Sequence, residues 1–199
     1  LQPPALATAA RAGNPDALYE IALRYDQGLG LPKDDAKAAT WMAEASDRGL
    51  VPATFQLGSF YEKGIGVARD PKRAIALYRS AAEAGNVSAM HNLAVMLAGG
   101  TEGEKPDFAA AARWFEKASD FGVGDSQFNL AILYARGTGV EHDLMQSYKW
   151  FAIAAQTGDA EAAKRRDEIA DALTPDALLA SRKAVSEWQA KTPDPAANI

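Results

Sequence analysis

The chain has 199 residues, 48% of them hydrophobic and 24% charged, with a net charge of −5 and no cysteine. The acidic balance excludes an electrostatic footprint for nucleic acid: the one dense basic run, Lys164-Arg165-Arg166, is followed at once by Asp167-Glu168 and reads as a solvated helix face. The missing thiols exclude a disulfide framework, a thiolate metal site and a cysteine nucleophile, and no apolar stretch approaches the ~20 residues that a membrane span needs.

The chain opens on Leu1 rather than Met and reads as a piece of a longer protein. Leu1-Gln2-Pro3-Pro4 is expected to be an extended linker, and residues 5–13, with Ala9, Ala10 and Gly13, the end of a preceding repeat. One sentence of residues is then written four times. Gly28, Gly64, Gly100 and Gly137 follow at intervals of 36, 36 and 37, and Gly30, Gly66, Gly103 and Gly139 keep the period, as do Gly49, Gly85, Gly122 and Gly158. The one added residue is absorbed at Thr101-Glu102. Asp34, Asp70, Asp107 and Asp143 share a register, and so do Trp41, Leu77, Trp114 and Trp150. A period of this length predicts an all-α fold, an α/α superhelical solenoid in which each unit buries its apolar face against its neighbours. The units are placed at 14–49, 50–85, 86–122 and 123–158.

Within the second unit a helix is expected over residues 52–63, where Ala53, Leu57, Gly58 and Tyr61 mark one face of a 3.6-residue period. Gly58 and its counterparts Ala22, Ala94 and Ala131 are all small, as close approach of a second helix demands. Gly64-Ile65-Gly66 ends the first helix, because glycine takes the left-handed conformation without steric penalty. Asp70-Pro71 starts the second, the carboxylate capping free amides and the proline fitting the first turn. That helix buries Ala74, Leu77, Tyr78, Ala81 and Ala82 and ends at Gly85, with Asn86 capping the next unit as Asn14 and Asp159 do elsewhere.

After the fourth unit, residues 159–191 read as capping helices. Ala162 keeps the pattern, but Arg166 stands where Ile21, Leu57, Leu93 and Leu130 stand, so the stack is expected to stop there with a polar outer face. Leu178, Leu179, Val185 and Trp188 are expected to cover its end, and residues 192–199 to form a flexible tail.

The pattern A-x3-L-G/A-x2-Y-x2-G-x-G followed by D-x3-A-x2-W-x3-A-x3-G resembles the Sel1-like repeat family, relatives of the tetratricopeptide repeats, over residues 14–158. A narrower likeness is carried by Ala89-Met90-His91-Asn92-Leu93-Ala94, Lys105-Pro106-Asp107-Phe108-Ala109, Asp125-Ser126-Gln127-Phe128-Asn129-Leu130, Ser147-Tyr148-Lys149-Trp150-Phe151 and Lys164-Arg165-Arg166-Asp167-Glu168-Ile169-Ala170. These runs are similar to the periplasmic repeat region of the PodJ family, polar organelle development and localisation factors of alphaproteobacteria. That resemblance implies a periplasmic module of an inner-membrane-anchored protein that marks a cell pole and recruits pili and stalk or adhesion machinery. Cell-wall-associated proteins and peptidoglycan would be among its partners, with no membrane contact by this segment itself. The same repeats also fit a free periplasmic regulator of a sensor kinase, similar to ExoR-type proteins, or a spacer for a peptidoglycan-binding domain.

No catalytic constellation emerges from the residues. His91 holds the helix position of Tyr19, Phe55 and Phe128, His142 precedes the helix-starting Asp143, and neither has the spacing of a metal ligand set. Ser126 and Ser147 stand at alanine equivalents. The glycine pairs lack the Lys-Ser/Thr of a phosphate loop. We therefore expect no enzyme activity, no metal and no cofactor. A protein or peptide partner remains. If the first helix of each unit lines the concave wall, as in tetratricopeptide repeats, the exposed row is Tyr19, Leu23 and Gln27; Phe55, Ser59 and Lys63; His91, Val95 and Gly99; and Phe128, Ile132 and Arg136. This is either an apolar strip rimmed by charge, of the kind that binds peptides, or a set of aromatics half-buried between helices.

Overall fold

A computed structural model describes residues 4–101, 103 and 105–198. Leu1–Pro3 of the expected linker, Glu102 of the insertion and Ile199 lie outside the described residues; Pro4 is already the first residue of a helix. The described chain is all-α. Its helices are α1 (Pro4–Arg11), α2 (Pro15–Gln27), α3 (Asp35–Asp47), α4 (Val51–Lys63), α5 (Pro71–Glu83), α6 (Val87–Gly99), α7 (Phe108–Asp120), α8 (Gly124–Arg136), α9 (Leu144–Ala155), α10 (Ala160–Ala172) and α11 (Pro175–Glu187), followed by a 3-10 turn at Pro195–Ala197. Two compact units emerge: residues up to Ala89 together with those from Pro193 onward, and Met90–Thr192.

In the first unit the caps form as the sequence dictates. Side-chain oxygens of Asn14, Asp34 and Asp70 accept from the amides of Ala17, Lys37 and Arg73 at 2.9, 3.0 and 3.0 Å. Each satisfies one of the helix-start donors that have no partner inside the helix. Gly64 closes α4 at φ +73°, its N–H donating to the Phe60 carbonyl. Gly58 is small for the expected reason: a Cβ there would stand 2.8 Å from the Tyr78 ring of α5. The Tyr78 hydroxyl donates to Glu62 Oε2 at 2.6 Å, which fixes the ring that Gly58 accommodates. Leu18, Ile21, Ala22, Ala38, Met42, Ala45, Ala53 and Leu57 form the core.

Two expectations for α4 need correction. Phe60 is buried while Tyr61 is only half-buried, and Ser59, expected on the exposed row, is buried as well. A helix inside a repeat array packs on its own partner and on the helices of adjacent repeats, so its apolar arc is wider than one stripe. Tyr61 lies at the edge of that arc, with the Arg73 guanidinium 4.4 Å from its ring centroid.

The second unit follows the same rules, with Asp107, Asp143 and Asp159 capping α7, α9 and α10. Leu93, Ala94, Ala111, Phe115, Leu130, Ala131, Trp150 and Phe151 are buried. Of α10, Ala162 is buried, and Arg166 is half-buried with its guanidinium 2.7 Å from the Asp167 carboxylate. Helix α11 packs on α9, and Trp188 meets Trp150 edge to face at 6.2 Å between centroids. Leu178 and Val185 are half-buried, but Leu179, expected to cover the stack, is 69% exposed. It points away because the buried stripe of α11 runs through Ser181, and Leu179 is two residues off that stripe.

The expected flexible tail differs most. Asp194 accepts from Ala196 N at 2.9 Å to start the 3-10 turn, and Ala197 is 3% exposed within the first unit. Residues 192–198 offer no large apolar anchor, and asparagine hydrogen bonds hold the segment instead.

Candidate interaction groove

The row of first-helix side chains divides according to unit. In the first unit, Tyr19 is half-buried beside Gln56, and burial pushes its phenol above the ordinary value of 10.0 although a hydrogen bond from Gln56 opposes this. Phe55 is half-buried, its ring 5.8 Å from that of Tyr78, and Leu23 packs against the core. Lys63 and Gln27 are exposed. Here the aromatics act mainly as interhelical packing.

In the second unit the same positions line open cavities. His91 and Phe128 share a shallow cavity of about 390 Å³ with Asp125, Asn129, Asp159 and Glu161. Phe128 also lines a cleft of about 220 Å³ together with Ile132, Arg136, Phe151, Arg165, Glu168 and Ile169. Phe128, Ile132 and Arg136 are one helical turn apart on α8, so they meet by the i, i+4, i+8 rule. Phe128 stands edge to face on buried Phe151 at 5.3 Å, which fixes its orientation. Arg165 is already engaged, 2.9 Å from Glu161 and 3.3 Å from Glu168. Arg136 is exposed at the C-terminal end of α8. Val95, 44% exposed, completes the row on α6.

The opposite wall of the cleft was not anticipated. Phe151 follows the repeat tryptophan and could have been found from the aromatic pair Trp150-Phe151. Arg165 and Ile169 lie on α10, read only as a cap, and Arg165 belongs to the run taken for a solvated face. His142 is a loop residue as expected and lines a separate, polar hollow with Glu116, Tyr134 and Asp143. Burial raises the Tyr134 phenol there, and the carboxylates of Glu116 and Asp143 add to the effect.

His91 Nδ1 is 2.8 Å from Ser126 Oγ, and its ring lies 6.0 Å from that of Phe115. Burial depresses the imidazole below its ordinary 6.5, and Asp125 only partly opposes this. The unfolded chain therefore takes up the proton more readily than the folded one. The stability contributed by neutral His91 is complete above about 6.5 and is lost as pH falls below it toward the folded value. Between about pH 7.5 and about pH 5.5, the urea midpoint of the parent should fall further than that of His91→Phe. Equal falls would remove His91 as a source of acid sensitivity.

An all-α array of helix–turn–helix units, whose loops turn on left-handed glycines, defines a repeat protein of the α/α solenoid class. The chain belongs to the Sel1 repeat family, whose profile matches residues 15–50, 51–86, 87–122 and 124–159. Sel1 repeats generally mediate protein–protein interactions, and their scaffold is typically non-catalytic. Among solved structures, a Sel1 repeat protein from Oxalobacter formigenes is 27% identical, with TM-score 0.77, over 94% of this chain and 78% of its own. The protective antigen c5321 of uropathogenic Escherichia coli, with an SLR fold, is 25% identical with TM-score 0.56; the match covers 92% of this chain but 47% of that one. A Sel1 repeat protein from Klebsiella pneumoniae subsp. pneumoniae shares the fold at 22% identity and TM-score 0.51, over 82% of this chain and 81% of its own. No curated protein matches the chain. No described helix is long and apolar enough to cross a membrane.

Proposed function

We propose that the chain is a protein-interaction scaffold whose partner docks an apolar side chain into the α8–α10 cleft, and that it serves as the periplasmic module of a bacterial polar localisation factor. The observation that carries the docking reading is the cleft itself, where Phe128, Ile132 and Arg136 of one repeat face Phe151, Arg165 and Ile169. An apolar floor with the exposed Arg136 at one rim, and Arg165 paired with Glu168 at the other, fits a peptide that presents one large apolar residue beside a carboxylate directed at Arg136. The polar-localisation reading is supported by the sequence runs around His91, Phe128, Trp150 and Lys164, and the recruitment of pili and of stalk or adhesion machinery follows from the same likeness.

A panel of immobilised peptides, each with one Leu, Phe or Trp flanked by Asp or Glu, tests the docking. Binding should fall at least about tenfold in Phe128→Ala, a contact at the cleft floor worth about 1–2 kcal/mol or more, and likewise in Arg136→Glu, where the charge reversal repels the ligand carboxylate. Phe128 also packs on Phe151, so Arg136→Glu is the cleaner variant, with an unchanged melting temperature expected. Lowered stability with intact binding in both variants would remove the cleft from the interaction. For the cellular role, the full-length protein should concentrate at a pole when imaged in its own cell. A uniform periplasmic distribution would favour the free regulator of a sensor kinase instead.

A further inference from the structure

The C-terminal segment is seated on the turn between α5 and α6 by an exchange of asparagine side chains. Asn86 uses Oδ1 to cap α6, accepting from Ala89 N at 2.8 Å, and its Nδ2 donates to the carbonyl of Ala197. Asn198 answers in the other direction. Its Oδ1 accepts from Val87 N at 2.7 Å, a first-turn amide that has no partner within its helix, and its Nδ2 donates to Gly85 O at 3.0 Å. Asn86 and Ala197 are each 3% exposed. The Ala197 Cβ lies 3.8 Å from where a Gly85 Cβ would stand, an ordinary van der Waals contact, and it is the φ of +93° that favours glycine there.

The seated segment carries a turn held by its own contacts. Pro195 starts the 3-10 turn, Asp194 caps it, and Asn198 Nδ2 also reaches the Asp194 carbonyl at 2.8 Å. Local contacts of this kind reduce the ordering cost of binding. In the second unit a C-terminal segment also passes the same repeat position, without the asparagine exchange. There Ala190 lies 3.4 Å from a Cβ built on Gly122, while Lys191 donates its amide to Asp120 O at 2.8 Å and pairs with the Asp120 carboxylate at 2.7 Å. The corresponding Gly49 and Gly158 have nothing within 4 Å.

We propose that Gly85-Asn86-Val87 is a peptide-reading clasp that recognises an Asp-Pro-Ala-Ala-Asn turn through the carbonyl of its second alanine and its asparagine side chain, and that residues 193–198 occupy it reversibly. The chain thereby carries a second binding site, independent of the α8–α10 cleft, whose ligand is a turn peptide of Asp-Pro-Ala-Ala-Asn sequence.

Amide hydrogen exchange of the full chain tests this. In Asn198→Ala the Val87 amide should exchange about tenfold faster, the effect of one lost hydrogen bond to a helix-start donor, and an added amidated peptide Thr-Pro-Asp-Pro-Ala-Ala-Asn should restore its protection. The same peptide ending in alanine should not. Asn86→Asp separates recognition from folding. The carboxylate still caps α6, as Asp159 caps α10 at 3.0 Å, but it cannot donate to the Ala197 carbonyl. That variant should keep the Ala89 amide protected and the melting temperature unchanged, yet lose peptide protection of Val87. Unaltered Val87 exchange in Asn198→Ala, or failure of the peptide to protect it at millimolar concentration, overturns the proposal.

Discussion

Gly139→Ala is expected to destabilise the second unit by about 3–5 kcal/mol, whereas Gly30→Ala should cost only about 1–2 kcal/mol. The two glycines have nearly the same backbone, φ +73° and +72°, so the left-handed penalty for a side chain is common to both. They differ in what lies above them. A Cβ on Gly139 would fall 2.3 Å from the carbonyl carbon of Phe108 and 2.7 Å from Ala109 N, at the start of α7, whereas one on Gly30 would meet nothing within 4 Å. Backbone cannot swing aside as a side chain does, so α7 itself would have to move. Gly66 repeats the situation in the first unit, 2.0 Å from Asp35 O at the start of α3, and its alanine variant should behave like that of Gly139. Urea unfolding followed by far-UV circular dichroism measures all three. Equal losses for Gly30→Ala and Gly139→Ala would show that the close approach of backbones imposes nothing.

The second glycine of each pair shows how far the sequence could be read. Its register was plain from the 36-residue period, and helix termination accounts for the first glycine. At Gly66 and Gly139 the second is needed also because the loop lies on the helix start of the preceding repeat, a neighbour that no local pattern displays. The same blindness hid Phe60. Periodicity within α4 reports the stripe facing its own partner, and the arc facing the adjacent repeat looks like ordinary variation. Caps, loop glycines and the small residue at Gly58 were legible because each answers a local demand. An unsatisfied amide, a left-handed turn or a ring on the next helix leaves its trace within one unit.

The candidate groove was half legible for a related reason. Spacing alone places Phe128, Ile132 and Arg136 on one line, but it gives the same line to Tyr19 and Leu23, and to Phe55 and Lys63. What separates them is the opposite wall. In the first unit Phe55 finds Tyr78 and Tyr19 finds Gln56, so the aromatics are largely consumed by packing. In the second, the α10 helix has Arg166 where the repeat has leucine, and it buries little beyond Ala162. A helix that stops supporting the next repeat leaves its apolar residue Ile169 and the ring of Phe128 facing a cleft rather than a core. The loss of the repeat pattern, read at first only as an ending, is therefore also what opens the site.

Trp150→Ala should cost about 3–5 kcal/mol, the range for truncating a large buried aromatic, and Trp41→Ala distinctly less. The two tryptophans share a repeat position, but Trp150 is 3% exposed and Trp41 only half-buried. Part of the cover over Trp150 comes from outside the repeat pattern, where Trp188 of the α11 end stands edge to face on it. Aromatic pairs of this kind contribute about 0.5–1.5 kcal/mol beyond the area they bury. Trp188→Ala should therefore lower the stability of the second unit by a smaller amount. The double variant should lose less than the sum of the singles, because the pair interaction can be removed only once. Circular dichroism at 222 nm is the suitable probe, since the substitutions alter the fluorescence directly. Strict additivity of the two losses would mean that α11 covers the end of the array without bracing it.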